Sequence, residues 1–144
     1  MPADCVVVGA GPGGLTAAVY LARYLRDVVV LDDGRSRALW IPCSHNCPGY
    51  PQGIPGPELL ERLRRQAERY GTPVREERVE TLEPAKHGSF VLACGTKTIM
   101  AQSVLLATGA EDVQGLLRTS TAQSSGASCA IARPATPTRC ATAG

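Results

Sequence analysis

At 144 residues, with 44% hydrophobic and 19% charged side chains, the chain has the length and composition of one globular domain with a substantial core. Its formal charge of +2 is uneven: all 13 acidic residues lie at or before Asp112, and Arg118, Arg133 and Arg139 come later, so residues 1–117 hold 12 basic against 13 acidic groups. Such a balance gives no basic patch for nucleic acid, and no apolar run approaches the roughly 18 residues of a membrane span.

The first element is a strand. Cys5–Val8 is apolar and β-branched, as a strand buried on both faces requires. It runs into Gly9-Ala10-Gly11-Pro12-Gly13-Gly14, which contains the spacing G-x-G-x-x-G. Leu15, Val19 and Ala22 then recur at helical intervals. A second strand, Val28–Leu31, ends on Asp32, 18 residues after Gly14.

That spacing has physical content. Gly9 permits the tight strand-to-helix turn, Gly11 lets backbone approach a pyrophosphate, and Gly14 lets the helix lie close to the sheet. Free N–H groups and the positive end of the helix face the phosphates. A carboxylate at Asp32 is placed to accept from ribose hydroxyls. The strand before, the helix after and the acid ending the second strand make this a dinucleotide site rather than an ordinary glycine turn.

Next come a polar turn, Asp33–Arg37, and a proline-rich loop from Leu39 to Pro51, read as a cofactor wall. Gly56-Pro57-Glu58 opens a helix. Leu59, Leu60, Leu63, Ala67 and Tyr70 mark its apolar face, Arg62, Arg64, Arg65 and Arg69 its solvated one, and Gly71 ends it. Val74 begins a third parallel strand and Arg75–Leu82 continues as strand. Phe90–Cys94 and Thr98–Ala101 form a hairpin, and Ser103–Leu106 is a further buried strand leading to Ala107-Thr108-Gly109. The order predicts a three-layer α/β, Rossmann-like domain with a parallel sheet and a small antiparallel excursion. Ligand belongs at the carboxyl ends of the strands, where Gly11, Asp32 and Thr108 converge.

The six cysteines are irregularly spaced, and the N-terminus enters a strand without a basic segment or cleavage site, so a cytoplasmic setting is the expectation. Cys43-x-x-x-Cys47 is flanked by Pro42 and Pro48, which oppose a helix; two thiols in an apolar loop is the default reading, and a redox pair the alternative. No residue is assigned a catalytic role and none a metal.

Gly9–Gly14, Ser44-His45-Asn46-Cys47-Pro48-Gly49 and Leu106-Ala107-Thr108-Gly109 together resemble the FAD domain of thioredoxin-reductase-like flavoproteins, from about Asp4 to about Gln114. The resemblance implies FAD along the strand edge. Gly9, Gly11, Pro12, Gly13 and Gly14 would hold its pyrophosphate, with Asp32 and the neighbouring Asp33 at the adenosine ribose. Asn46 and His45 would lie beside the flavin, Val79 near the adenine, and Ala107, Thr108 and Gly109 would close over the cofactor. It also implies hydride transfer from NADPH to FAD, then electrons to a disulfide, and a homodimer for the intact family. The disulfide substrate and the choice between NADPH and NADH stay open. So do two rival readings: a fragment of an FAD-dependent monooxygenase or oxidase, and a non-catalytic dinucleotide-binding module.

Two parts of that family are missing from the 144 residues: a C-x-x-C and a second glycine fingerprint for NADPH. From Arg118 onward the composition changes: 16 of 27 residues are Ala, Ser or Thr, and none is acidic. Residues 1–117 are therefore read as the FAD-binding domain and 118–144 as a disordered tail. Shifting the reading frame by one base from Cys129, with permitted codons, yields a string containing Cys-Pro-Ala-Cys-Asp. The expectation is an out-of-frame tail that replaces the redox centre and leaves the chain inactive.

Overall fold

A computed structural model describes residues 2–110 of the chain. The elements are β1 (Ala3–Val8), α1 (Pro12–Arg23), β2 (Val28–Asp32), a 3-10 turn (Arg37–Trp40) and α2 (Gly56–Arg69). Then follow β3 (Val74–Glu76), β4 (Thr81–Pro84), a second 3-10 turn (Lys86–Gly88), β5 (Phe90–Cys94) and β6 (Lys97–Leu106). They build one six-stranded sheet in the order β3-β2-β1-β6-β5-β4. β3, β2, β1 and β6 are parallel, whereas β4, β5 and β6 are joined antiparallel.

Strand alternation explains the three layers. Cys5, Val7, Val28 and Val30 point to one face, where Leu15, Ala18 and Val19 of α1 and Leu60 and Ala67 of α2 pack on them. Val6, Val29 and Leu31 point to the other face and meet Leu92, Cys94 and Ala101 of the antiparallel strands. Val6, Val7, Val30 and Leu31 are wholly buried. Covered on both faces, β1 and β2 have no polar side to show, hence their unbroken apolar runs.

The two long helices end in the same way. In α2, Gly71 takes φ +75°, its N–H donates to Glu68 O, and Thr72 N–H donates to Ala67 O. In α1 the equivalent bonds run from Leu25 to Ala22 O and from Arg26 to Leu21 O, with Leu25 at φ 57°. Both are double-bonded left-handed caps. The arginines of α2 lie on the solvated face, with Arg62 paired to Glu58 and Arg65 to Glu61, each at 2.7 Å.

Two expectations are corrected. Arg75–Leu82 is not one strand: β3 stops at Glu76 on one edge of the sheet, and β4 begins at Thr81 on the opposite edge. Residues 77–80 are the crossing, which lets β4 and β5 cover the face opposite the helices. Thr98–Ala101 and Ser103–Leu106 are not separate strands either. They are two halves of β6, antiparallel to β5 over Lys97–Ala101 and parallel to β1 over Ala101–Leu106. The second half is less buried than its apolar run suggests, for Leu105 is 38% exposed and Leu106 62%. Residues 118–144 lie outside the described residues.

Candidate functional site

The glycine turn sits where β1, β2 and β6 end together. Gly9 adopts φ +105°, and a Cβ there would strike the Ala107 carbonyl. A Cβ on Gly14 would strike the Gly9 carbonyl and come within 3.2 Å of Ala107 Cβ. The N–H of Gly9 donates to Leu31 O at 2.7 Å, and that of Ala107 to Val8 O at 2.8 Å. Gly9 and Gly14 are thus glycines for packing, and they bring the first motif against the last.

Gly11 and Gly13 are different. A Cβ on Gly11 would meet only Ser36 Oγ, at 3.5 Å, and one on Gly13 would meet nothing within 4 Å. Gly11 has an ordinary extended backbone (φ −69°, ψ 177°) that any residue adopts. The fold itself does not need glycine at either place. What glycine leaves there is open space above the N-terminus of α1. That helix has no side-chain cap and no acid in its first turn, and the N–H groups of a first turn have no acceptor within the helix.

Asp32 closes the other side of the turn. Its Oδ1 accepts from Ala10 N–H at 2.8 Å and its Oδ2 from Gly34 N–H at 3.1 Å. The carboxylate therefore ties the end of β2 to the glycine turn, and each oxygen retains a lone pair for an outside donor. Asp33 turns away: its carboxylate takes the Arg35 guanidinium at 2.7 and 3.0 Å. That bonding holds its acidity below the ordinary carboxylate value.

Ser36, which the sequence reading did not single out, borders the glycine turn. It lies across from Gly11, and its hydroxyl accepts from Ala38 N–H at 3.4 Å, capping the 3-10 turn. A serine just ahead of a short helical turn is the signal that marks it.

The remaining expected residues are dispersed. His45 and Asn46 are exposed in the loop between β2 and α2, which is held by paired backbone bonds between Ser44 and Ile54. Ser44 Oγ donates to Asn46 Oδ1 at 2.8 Å, and the His45 ring lies beside Gly53. Cys47 is a free thiol, so no disulfide joins it to Cys43. Val79 lies on the crossing segment, with its side chain packed on the apolar cluster beneath β4 and β5. Thr108 and Gly109 are exposed at the end of β6, with Gly109 at φ +70°.

Away from this edge, Cys94 is buried beside Glu77 and Glu80, and burial first, then the two carboxylates, push its thiol pKa up. Among the described residues no group of three His, Cys, Asp or Glu side chains could hold a metal, and no helix is long and apolar enough to cross a membrane.

A glycine turn between the first strand and helix, an acid ending the second strand and a returning strand beside the first define a Rossmann-like dinucleotide-binding α/β domain. The sequence profile of the pyridine nucleotide-disulphide oxidoreductases matches residues 3–128. The chain belongs to that family, thioredoxin-reductase-like and FAD-dependent.

Among its relatives, a thioredoxin reductase of Treponema pallidum is 39% identical over 110 residues, covering 75% of this chain and 36% of the relative. The NADPH-dependent thioredoxin reductase 3 of Arabidopsis thaliana is 35% identical over 113 residues, covering 74% and 21%. Of solved structures, an atypical thioredoxin reductase from Desulfovibrio vulgaris Hildenborough superposes with a TM-score of 0.71 at 36% identity, covering 78% of this chain and 38% of that one. One from Gloeobacter violaceus gives 0.72 at 31%, covering 79% and 36%. The chain thus spans well under half the length of these relatives.

Proposed function

We propose that this chain is the FAD-binding portion of a thioredoxin-reductase-like oxidoreductase, with residues 1–117 as the binding unit. The observation that carries the reading is the pair Gly11 and Gly13, whose missing side chains leave room that, among the described residues, only Ser36 Oγ borders. A diphosphate fills such a space and accepts from the uncapped N–H groups of α1.

In this reading Gly9, Gly11, Pro12, Gly13 and Gly14 form the pyrophosphate cradle, and Ser36 lines its outer side. The free lone pairs of Asp32 take the adenosine ribose hydroxyls. Asp33 contributes through charge rather than contact, since Arg35 occupies its carboxylate. The main chain at Val79 lies toward the adenine, Asn46 and His45 toward the flavin, and Ala107, Thr108 and Gly109 over the cofactor. When bound, FAD supplies the two-electron chemistry; the residues named here bind and orient it. In the intact enzyme the electrons would come from NADPH and pass to a disulfide.

The test is a flavin titration. FAD is expected to bind far more tightly than FMN, because the glycine turn and Asp32 address the pyrophosphate and adenosine that FMN lacks. Equal affinity for the two would overturn the assignment.

A further inference from the structure

The crossing between β3 and β4 leaves the sheet beside the acid that ends β2. Asp32 and Glu76 are partners across β2 and β3, so Glu77 begins the crossing one residue past that edge. The next residue stays close by: Asp33 is held below the ordinary carboxylate value by its bonds to Arg35 and, more weakly, by the charge of Arg78. Main-chain bonds hold the segment at both ends, from Glu77 N–H to Arg75 O at 2.9 Å and from Glu80 N–H to Ala93 O at 2.8 Å. A third tie is ionic. Glu77 Oε1 accepts from Lys97 Nζ at 2.6 Å, across 20 residues of sequence. Lys97 opens β6 at the tip of the β5–β6 hairpin, opposite Cys94. The two ends of this pair are unlike: the Lys97 side chain is 69% exposed and that of Glu77 17%. Glu77 Oε2 is buried and has no hydrogen-bond partner among the described residues. Taking Lys97 away would leave that carboxylate uncompensated beneath the surface, and the cost of burying it turns it out to water. The main chain of the crossing must move with it.

We propose that Lys97 is a positioning residue for the adenine: through Glu77 it fixes the crossing, and so the place where the main chain at Val79 meets the base. The inference rests on the dinucleotide reading above and gives Lys97 no contact with the ligand. Adenine offers an acceptor at its ring nitrogen and a donor at its amino group, and hypoxanthine offers the reverse. A main-chain N–H and C=O held in register fit the first and are left unpaired against the second. Base selectivity therefore depends on how firmly the crossing is held.

The experiment is calorimetric titration of the full 144-residue chain with ADP and with inosine diphosphate, which share ribose and diphosphate and differ only in the base. The natural chain is expected to prefer ADP. Lys97→Met should weaken ADP by about five- to tenfold, the order of one charge-assisted bond at a partly exposed pair, and leave inosine diphosphate nearly unchanged. Lys97→Arg, which reaches the same carboxylate, should keep the natural preference. Lys86→Met removes an exposed positive charge at the far end of β4 and β5 and should change neither affinity. Should Lys97→Met fail to fold, Lys97→Gln, which keeps a donor without the charge, reads the same fall. A Lys97→Met chain that keeps its full preference for ADP overturns the proposal. So does one that weakens both diphosphates equally, or a natural chain that binds the two alike. A natural chain that takes neither ADP nor FAD overturns the dinucleotide reading itself, and the proposal with it.

Discussion

At the scale of single residues, the glycines of one motif answer to different physics. Gly14 faces the Gly9 carbonyl, so Gly14→Ala must push α1 off the sheet, and the expected result is a fold destabilised whether or not flavin is present. A Cβ on Gly11 would meet Ser36 Oγ at an ordinary contact distance of 3.5 Å, with no clash. Gly11→Val should leave the thermal midpoint of the flavin-free protein nearly unchanged while abolishing FAD binding, because the branched side chain stands where the diphosphate must come. Thermal melts with and without FAD separate the two cases. A Gly11→Val chain that still takes up flavin would show that the turn does not hold phosphate. Cys94 adds a pH effect. Its pKa is raised in the fold, so above the ordinary thiol pKa the unfolded chain has released a proton that the folded chain still holds. The contribution of Cys94 to stability is therefore full at neutral pH and lost as pH climbs into the alkaline range. Urea midpoints should fall less steeply toward alkaline pH in Cys94→Ala than in the natural chain.

At the scale of elements, the helix ends make a matched pair. α2 closes on Gly71, whereas α1 closes on Leu25, which holds φ 57° while 92% exposed. A leucine there bears a left-handed penalty of about 1–2 kcal/mol and recovers nothing by burial. Leu25→Gly should stabilise the domain by about 0.5–1 kcal/mol, after allowing for the greater freedom of glycine in the unfolded chain. Gly71→Leu should cost a similar amount, and denaturant midpoints measure both. The Gly71 cap was legible in the sequence because glycine advertises it; the Leu25 cap was not, because only the fold forces that leucine left-handed. The same contrast holds elsewhere. The runs Cys5–Val8 and Val28–Leu31, the acid at Asp32 and the start at Gly56–Pro57 are local patterns with local causes, and they could be read directly. That residues 77–80 cross from one edge of the sheet to the other could not, because alternation within a strand says nothing about which strand lies beside it. The unity of β6 was hidden for a related reason. Its first half pairs with β5 and its second with β1, so its side-chain pattern changes midway and reads as two strands. Ser36 escaped notice because its partner across the site, Gly11, is 25 residues earlier in the chain.

At the scale of the whole molecule, the proposed reading makes the described residues the flavin-holding part of a larger flavoenzyme. A reductase of this family must hold a hydride donor with its reacting atom in contact with the flavin ring, and that positioning supplies much of the rate. The 144 residues carry one G-x-G-x-x-G, already committed to β1 and α1, and no C-x-x-C. The cysteines nearest the expected flavin position, Cys43 and Cys47, are not bonded to each other, and Cys47 is a half-buried thiol. Loaded with FAD, this chain is expected to show the flavin absorbance band and to keep it when NADPH is added. It should reduce a disulfide no faster than free FAD does under the same conditions. Stopped-flow absorbance after mixing with NADPH is the direct measurement, since it reports flavin reduction without needing the natural substrate. Rapid bleaching of the band would place a nicotinamide site within these 144 residues. Disulfide turnover at an enzymatic rate, if Cys43→Ser abolished it while leaving flavin bound, would make the loop between β2 and α2 the redox centre in place of a C-x-x-C.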